Sequence, residues 1–292
     1  MAQLIETLDE IATDYDALLV DLWGCYHNGL RPYPAAMEAL RRYRARGGIA
    51  VLLTNAPRPA SGVLRFLDHI GAPGEPGDTH DGIMSSGEAC KRSMANGRYG
   101  QRSHYIGPDR DLDMLSDFGS PVGIEEAETI LLVGLRDDRT ENPSDYDHEF
   151  ADWAARKLPV LCANPDIIVD RGEERLWCAG ALAQRYAERH AADGAEVVWY
   201  GKPHAPSYDA AFEMIDALAG RAVPRARVLG IGDGIATDVK GAHAQGCDAL
   251  FISGGIAAAE VGETAEAPDP ARLEAFFARE GHDPRYATAF LR

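Results

Sequence analysis

Short apolar runs alternate with helical segments along this 292-residue chain, and this alternation constrains the fold more than any other feature. An apolar run that ends at Gly or a polar residue predicts a buried β-strand, and apolar residues three to four apart predict a helix. Strands are predicted at residues 17–20, 48–53, 103–106, 129–134, 160–163, 197–200, 228–231 and 249–252. Helices are predicted at residues 34–46, 59–70, 144–157, 179–190, 208–218 and 238–245. This order is typical of an α/β fold with a mostly parallel sheet.

Two stretches of the chain have a different character. Residues 71–82 are rich in Gly and Pro, which is typical of a turn region, and we interpret them as a candidate domain boundary. Residues 257–270 are acidic and rich in Ala, and we expect a surface helix or loop there, beside the strand at 249–252, which we expect to be the last.

The charge balance excludes several classes of partner. The chain has 29 Lys and Arg residues against 46 Asp and Glu residues, so its formal net charge is −17. Such a charge repels nucleic acid and anionic membranes, although a small phosphorylated ligand stays compatible with a local pocket. No stretch approaches the ~18 apolar residues of a membrane span, and the acidic first segment does not resemble a secretory signal. We therefore expect a cytoplasmic protein that binds neither nucleic acid nor membrane.

The cysteines give little evidence of a structural role. Their number, five, is odd, and no two have the C-x-x-C spacing, so neither a disulfide framework nor a thiolate zinc site is expected. Whether the chain forms a homo-oligomer stays open at this point.

Polar side chains follow several of the predicted strands. In a doubly wound sheet the ligand site lies at the carboxyl ends of the strands. Those positions carry Asp21, Thr54, Asn55, Lys202 and Asp233. Two carboxylates, a hydroxyl and an ammonium group suit a phosphoryl group and Mg²⁺. Each residue taken alone has a plainer interpretation as a helix cap or turn residue, so the hypothesis depends on their order and their shared position.

Four segments, taken in this order, resemble the motifs of the haloacid dehalogenase superfamily. They are Asp21-Leu22-Trp23-Gly24, Leu53-Thr54-Asn55, Gly201-Lys202-Pro203, and residues 230–238 with the sequence GIGDGIATD. The Thr-Asn pair, the Gly-Lys-Pro triplet and the ending that runs from Gly232-Asp233 through Asp238 to Gly241-Ala242 narrow the resemblance to class IIA, which is similar to nucleotide and sugar-phosphate phosphatases. The triplet Asn164-Pro165-Asp166 also fits that class. The resemblance covers residues 15–256, and the motifs are specific in combination rather than singly.

The resemblance implies the fold, the cofactor and a set of site residues. It implies a Rossmann-like parallel-sheet core at residues 1–80 and 199–292, and a smaller α/β cap domain at residues 81–198. Asp21 would be the nucleophile, Thr54 would contact a phosphoryl oxygen and Lys202 would neutralise charge. Mg²⁺ would be held at a site formed by Asp21, the backbone carbonyl of Trp23, Asp233 and Asp238. Further substrate or phosphate contacts are expected from Asn55, His27, Asn164 and Asp166.

Position 23 departs from the family pattern. The family usually has a second Asp two places after the nucleophile, where it protonates the leaving group and activates water. Trp23 can do neither, and the loss of general acid–base help typically costs ~10²–10⁴-fold. His27 is a candidate substitute or a substrate contact, with a solvated loop histidine as the alternative, and Cys25 is interpreted as a packing residue.

The function hypothesis is a Mg²⁺-dependent phosphatase that hydrolyses a small phosphorylated metabolite through an aspartyl-phosphate intermediate. Two alternatives stay open. One is a catalytically weakened protein of the same fold that binds a phosphorylated ligand or a protein partner. The other is a phosphotransferase, in which a substrate hydroxyl rather than water accepts the phosphoryl group.

Overall fold

A computed structural model describes residues 2–171 and 174–292 of the chain. In this part of the chain the strands are β1 (Gln3–Leu4), β2 (Ala17–Val20), β3 (Ile49–Thr54), β4 (Gly82–Ser85), β5 (Ser103–Ile106), β6 (Thr129–Leu132), β7 (Val160–Cys162), β8 (Ile168–Arg171), β9 (Glu174–Trp177), β10 (Val197–Trp199), β11 (Val228–Gly232), β12 (Asp248–Ile252), β13 (Gly262–Thr264), β14 (Ala267–Pro268) and β15 (Tyr286–Thr288). The helices are α1 (Pro34–Ala45), α2 (Ala60–His69), α3 (Ser86–Ala95), α4 (Asp147–Arg156), α5 (Ala179–His190), α6 (Ala205–Ala219), α7 (Lys240–Ala244), α8 (Ala258–Val261) and α9 (Pro270–Glu280).

The chain divides into two compact units. The first comprises Met1–Thr54, Val63–Met84 and Tyr208–Arg292, and the second comprises Asn55–Gly62 and Ser85–Ser207. The domain limits expected from the sequence, at residues 80/81 and 198/199, stay a prediction.

The first unit contains a seven-stranded sheet in the order β1-β15-β12-β11-β2-β3-β4. The pairs from β1 through β3 are parallel, and every residue of β2 and β11 is buried. Strands that are buried on both faces read as continuous apolar runs, which is why these two could be recognised. The chain leaves β2 toward β3 on one side, whereas β11 leads to β12 on the other. The crevice between β2 and β11 is therefore the topological switch point, where ligands bind in sheets of this kind.

The second unit has its own sheet and its own core. Its four strands are parallel, in the order β10-β7-β6-β5, and β8 and β9 form a separate antiparallel hairpin. Three buried aromatic side chains from α4 and α5 pack together beneath the sheet, with ring centroids 5.0–5.6 Å apart: Phe150, Trp153 and Tyr186. Such a core is sufficient to define a separate compact unit.

The structure confirms the predicted α/β class and corrects the end of the chain. Each predicted strand and helix is present within a few residues of its expected limits. The strand at Asp248–Ile252 is not the last, because β15 pairs with it and β1 pairs with β15. The stretch 257–270 contains α8 and the β13–β14 hairpin, and α9 follows. Among the helices of the described residues, none has both the length and the hydropathy that a membrane span requires.

Candidate active site

The loop after β2 is a tight turn that begins with Asp21. The Asp21 N–H donates to the Ile231 carbonyl at 2.8 Å, which extends the pairing of β2 with β11 by one residue. The Leu22 carbonyl then accepts from the N–H groups of Tyr26 and His27, at 2.8 and 3.0 Å. Gly24 has φ +78°, a conformation that glycine adopts without strain. These bonds fold residues 21–27 back over the carboxyl end of the sheet.

Two carboxylates and a thiol meet at this edge of the sheet. Asp21 follows β2, Asp233 follows β11, and Cys25 lies in the turn described above. One donor atom from each of the three side chains lies within 4.8 Å of the other two, and all three residues are buried. Parallel strands that are neighbours at the switch point bring Asp21 and Asp233 together, although 212 positions separate them in the sequence. We call Asp21, Cys25 and Asp233 the donor group.

The backbone of two loops also approaches the Asp233 carboxylate closely. A Cβ atom added to Gly24 would lie 2.1 Å from Asp233 Oδ2, and a Cβ atom on Gly255 would lie at the same distance. The Ile256 N–H donates to Asp233 Oδ2 at 3.0 Å. A hydrogen bond to an ionised carboxylate is stronger than one between neutral groups, so this contact fixes the orientation of Asp233. The two glycines thus let the backbone approach Asp233 where any other side chain would clash with it.

Asp238 lies outside the donor group and stabilises the segment after β11. Its Oδ2 atom accepts from the Gly234 N–H at 3.2 Å and from the Thr237 hydroxyl at 3.1 Å. These contacts stabilise the π-helical turn Ile235–Val239, which opens α7. Its predicted place at a metal site stays a prediction, as does the phosphoryl contact of Thr54, the last residue of β3.

The second unit brings together four other predicted residues, two asparagines, an aspartate and a lysine. The Asn55 amide donates to Asp166 Oδ1 at 2.8 Å and to the Lys202 carbonyl at 3.1 Å, and its oxygen accepts from the Lys202 N–H at 2.7 Å. Asn164 Oδ1 accepts from the Asp166 N–H at 3.1 Å. A Cβ atom on Gly201 would lie 2.7 Å from Asn55 Oδ1, which explains the glycine there. Since both N–H donors of Asn55 are used, Asn55 holds the Lys202 backbone in place.

His27 is a packed, neutral side chain. Its Nδ1 atom accepts from the Gly29 N–H at 2.9 Å, and its ring contacts the rings of Trp23 and Phe66, with centroids 5.6 and 5.4 Å away. Burial lowers the pKa of His27 to about 4. The ring is therefore uncharged at neutral pH and carries its proton on Nε2. This environment argues against the acid–base role suggested for His27, and a substrate contact stays a prediction.

Trp23 presents its indole to solvent at the position where the motif resemblance leads us to expect an Asp. The side chain is 47% exposed. A Cβ atom on Gly29 would lie 2.3 Å from Trp23 Cη2, so the indole packs closely against the backbone of its own loop. The predicted metal contact of the Trp23 carbonyl stays a prediction.

Sequence reasoning missed one member of the donor group. Cys25 was interpreted as a packing residue, and it is indeed buried, but its sulfur lies within reach of both carboxylates. The available signal was its position four residues after Asp21 in the same short loop. Without the turn geometry, that spacing does not distinguish a side chain that faces the site from one that faces the core.

Comparisons with known proteins agree with this geometry. A haloacid dehalogenase-like hydrolase family model matches residues 18–120, and a second HAD-hydrolase-like model matches residues 199–274. A solved haloacid dehalogenase-like hydrolase from Brucella suis is 37% identical, with 99% of this chain and 100% of that chain covered and a TM-score of 0.80. This chain therefore belongs to the haloacid dehalogenase-like hydrolase family, and the class IIA resemblance is confirmed.

More distant structures share the fold. A p-nitrophenyl phosphatase from Archaeoglobus fulgidus is 20% identical, with 95% of this chain and 97% of that chain covered and a TM-score of 0.71. A structure described as a possible sugar phosphatase of this superfamily, from Cytophaga hutchinsonii, is 18% identical, with full coverage of both chains and a TM-score of 0.73. No curated protein matches the sequence significantly.

Proposed function

We propose that this protein is a metal-dependent phosphatase that hydrolyses a small phosphorylated metabolite, with Asp21 as the nucleophile. The observation that carries the proposal is the buried donor group at the carboxyl ends of β2 and β11. The names of two structural relatives, a p-nitrophenyl phosphatase and a possible sugar phosphatase, support the same reaction class. Two carboxylates at this spacing offer the oxygen donors that a divalent cation prefers, which supports a metal-dependent reaction.

The residues present fit a divalent cation. Two carboxylates and a thiol lie close enough to share one ion, and a Cβ atom at Gly24 or Gly255 would press on the Asp233 oxygen that is one of these donors. Asp21 and Asp233 would hold Mg²⁺ through hard oxygen donors. When bound, the cation would offset the negative charge of the carboxylates and of the phosphoryl group.

The proposed reaction has two steps at phosphorus. In the first, an Asp21 oxygen attacks the phosphorus, the bond to the ester oxygen breaks, and the electron pair leaves with that oxygen, which takes a proton from solvent. In the second, water attacks the phosphorus of the aspartyl-phosphate and loses a proton to solvent. The bond from phosphorus to Asp21 breaks, phosphate leaves and the Asp21 carboxylate is regenerated.

Other residues would assist this chemistry by charge and position. We propose that the Lys202 ammonium offsets phosphoryl charge and that the Thr54 hydroxyl contacts a phosphoryl oxygen. Asn55 and Asp166 would act as positioning residues, since Asn55 bonds to both the N–H and the carbonyl of Lys202 and to the Asp166 carboxylate.

The test is a screen of phosphate esters with Mg²⁺ and an added acceptor alcohol. We expect wild type to release inorganic phosphate and Asp21→Asn to lose at least ~10³-fold in turnover. Glu38→Gln, which changes an exposed carboxylate on α1, is the matched control and should keep full activity. Transfer to the alcohol in place of phosphate release would identify a phosphotransferase. Binding of esters without turnover would identify a protein that only binds them.

Metal binding can be tested apart from activity. Gly255→Ala adds a Cβ atom against Asp233 without requiring a positive φ, and Gly123→Ala adds one where no atom lies within 4 Å. By calorimetric titration, Gly255→Ala should weaken Mg²⁺ binding about tenfold or more, whereas Gly123→Ala should not change it. Equal Mg²⁺ affinity in both variants would place the ion elsewhere.

A further inference from the structure

A buried tyrosine in the loop after β2 makes a polar contact outside that loop. Tyr26 directly follows Cys25 of the donor group, and its side chain is fully buried. Its hydroxyl is hydrogen-bonded to the Thr79 hydroxyl at 2.7 Å and lies 3.4 Å from the Pro73 carbonyl. Thr79 is fully buried as well. The hydroxyl of Tyr26 thus joins this loop to a residue that lies 53 positions further along the chain.

The backbone of Tyr26 belongs to the turn that forms the site. Its N–H donates to the Leu22 carbonyl at 2.8 Å, and its carbonyl accepts from the Tyr33 N–H at 2.9 Å. The Gly24 N–H donates to the His27 carbonyl at 2.9 Å, which closes the turn around Tyr26. Because these bonds couple the residues of the turn, a shift of the Tyr26 ring would also move its neighbours, which include a member of the donor group.

The segment that carries Thr79 is fixed by contacts to β3 and α1. The Asp81 N–H donates to the Ala50 carbonyl at 2.7 Å, and the Ala50 N–H donates to Asp81 Oδ2 at 2.9 Å. Arg44 on α1 pairs with the Asp81 carboxylate at 2.6 Å and donates to the Gly77 carbonyl at 2.7 Å. Hydrogen bonds between charged groups are stronger than those between neutral groups. Thr79 therefore lies on a firm support at the edge of the loop after β2.

The donor group depends on where this loop lies. Two of its members come from the loop and the third, Asp233, from the segment after β11, and one donor atom of each lies within 4.8 Å of the other two. Ligand distances at a metal ion hold to within about 0.2 Å. A misplacement of about 1 Å can cost ~10²-fold in turnover. An interaction that fixes the loop from outside should therefore affect both metal binding and the proposed reaction.

We propose that Tyr26 and Thr79 are positioning residues of the candidate active site, because their hydrogen bond fixes the loop after β2 in the conformation that forms the donor group. The proposal rests on the metal-dependent phosphatase function proposed above and adds two residues to its machinery. Both hydroxyl groups act through the backbone of the loop rather than on the substrate itself.

Metal binding in two Tyr→Phe variants tests the role of Tyr26. The matched control is Tyr43→Phe, since Tyr43 is buried in the same unit and its hydroxyl donates to the Tyr15 carbonyl at 3.0 Å. Both variants lose a buried hydroxyl group and its hydrogen bond, so both should lower the Tm by about 2–4 °C. Only Tyr26→Phe should weaken Mg²⁺ binding in a calorimetric titration, by roughly three- to tenfold.

Steady-state kinetics at saturating Mg²⁺ then separates positioning from a loss of folded protein. Tyr26→Phe should lower kcat about tenfold and change KM by less than about twofold, because the loop carries the proposed nucleophile. Tyr43→Phe should keep both constants. A smaller folded fraction would lower the apparent kcat in proportion and would leave the Mg²⁺ affinity of the folded protein unchanged.

Thr79 supplies the second arm of the experiment. Thr79→Ser keeps the hydroxyl group and should keep the Mg²⁺ affinity, whereas Thr79→Val removes the hydroxyl group and should weaken Mg²⁺ binding as Tyr26→Phe does. In the double variant Tyr26→Phe/Thr79→Val the loss should exceed the larger single loss by less than about twofold, because both changes break the same bond. Thr79 also bonds to His80 Nδ1 at 3.2 Å, so Thr79→Val should lower the Tm more than Tyr26→Phe.

Two results would overturn the proposal. They are equal Mg²⁺ affinities in Tyr26→Phe and Tyr43→Phe, and losses that multiply in the double variant.

If wild type neither binds Mg²⁺ nor hydrolyses esters, the proposed function fails instead, and amide hydrogen exchange then tests the loop. The Gly24 and His27 N–H groups should exchange about tenfold faster in Tyr26→Phe than in Tyr43→Phe. Equal exchange rates in the two variants would overturn the positioning role without reference to metal or turnover.

Discussion

The loops after β2 and after β11 leave neighbouring strands at the same edge of the sheet, yet they are built differently. The segment after β11 matches the family motif, with Asp233 in the donor group and Asp238 stabilising the following turn. The segment after β2 keeps Asp21 but then has an exposed indole, a buried thiol and a buried neutral imidazole. The two carboxylates of this site thus come from strand ends, whereas the indole, the thiol and the imidazole lie in one loop.

Close packing limits which residues both segments can carry at their glycines. A Cβ atom on Gly232 would lie 2.0 Å from Asp238 Cγ, and one on Gly234 would lie 2.1 Å from the Thr237 hydroxyl oxygen. The segment after β11 therefore tolerates few side chains. In the loop after β2, Gly24 is limited in the same way, because a Cβ atom there would lie 2.1 Å from Asp233 Oδ2, whereas the Trp23 side chain is 47% exposed.

The largest expected effect lies within the segment after β11. Asp233→Asn should lower turnover at least ~10³-fold, because it removes a charge from the donor group. Asp238→Asn should cost less, on the order of tenfold, since that carboxylate accepts hydrogen bonds from Gly234 and Thr237. Steady-state kinetics with saturating Mg²⁺ measures both. Equal losses in the two variants would place Asp238 in the donor group as well.

The next effect concerns the loop after β2. Trp23→Asp restores the acid of the family pattern and should raise hydrolysis of an alkyl phosphate by about 10²-fold, and of p-nitrophenyl phosphate by less. An activated leaving group needs little protonation, so the gain there reflects only the activation of water. The measurement is kcat/KM for both esters in both proteins, with thermal stability followed alongside.

Two outcomes would contradict this prediction for Trp23→Asp. An equal or larger gain on p-nitrophenyl phosphate would mean that the missing acid does not limit the enzyme. A loss of stability with no gain on either ester would mean that Trp23 chiefly supports the packing of Gly29 and His27.

Much of this comparison could be predicted from the sequence, for a physical reason. The strands β2 and β11 are apolar runs that are buried on both faces. Because such runs can be recognised in a sequence, the ends of both strands could be predicted, and Asp21 and Asp233 follow directly after them. Neighbouring parallel strands then place those two carboxylates side by side. The same logic identified Asn55 and Lys202, although not the hydrogen bonds that join them.

Other parts of the fold and of the site could not be predicted from the sequence. They depend on contacts between distant segments that show no hydrophobic periodicity. The strands β1 and β15 have two and three residues and become strands only through pairing at the sheet edge. The Ile256 N–H reaches Asp233 because the loop after β12 passes the end of β11, which no periodicity reveals. The direction of the Cys25 side chain depends on the turn at Gly24.

A smaller effect should appear in the pH dependence of stability. Tyr26, in the loop after β2, bonds to Thr79 at 2.7 Å, and Thr79 bonds to the buried His80 ring at 3.2 Å. Burial lowers the pKa of His80 from 6.5 to about 4, opposed first by a backbone hydrogen bond with Gly74 and then by Asp81 and Asp78, whereas Arg44 adds to the shift. The unfolded chain therefore takes up a proton below pH 6.5, whereas the folded chain does not until about pH 4.

It follows that the stability due to neutral His80 is present in full above pH 6.5 and is lost as the pH falls toward 4. The difference corresponds to about 3 kcal/mol of unfolding free energy. Denaturant unfolding of wild type and His80→Gln at pH 7, 5.5 and 4 measures it. The stability difference between the two proteins should shrink as the pH falls, since carboxylate titration is common to both. A difference that is constant with pH would assign the proton uptake to other groups.

The smallest expected effect tests whether the thiol in the loop after β2 acts as a ligand. Sulfur donors favour Zn²⁺ and Cd²⁺, whereas Mg²⁺ favours oxygen, so Cys25→Ser should weaken Zn²⁺ and Cd²⁺ binding by roughly tenfold and leave Mg²⁺ binding unchanged. Cys247→Ser is the matched control, because Cys247 is also buried in the first unit, and burial raises the pKa of its thiol to about 12. Titration with Cd²⁺ should produce the thiolate-to-metal absorption band in wild type and Cys247→Ser but not in Cys25→Ser. If Cd²⁺ gives no such band in wild type, or if Cys25→Ser loses Mg²⁺ affinity to the same extent, the sulfur is only a packing group. In that case each of the two loops would contribute one carboxylate ligand. The remaining difference between the loop after β2 and the segment after β11 would then be Trp23.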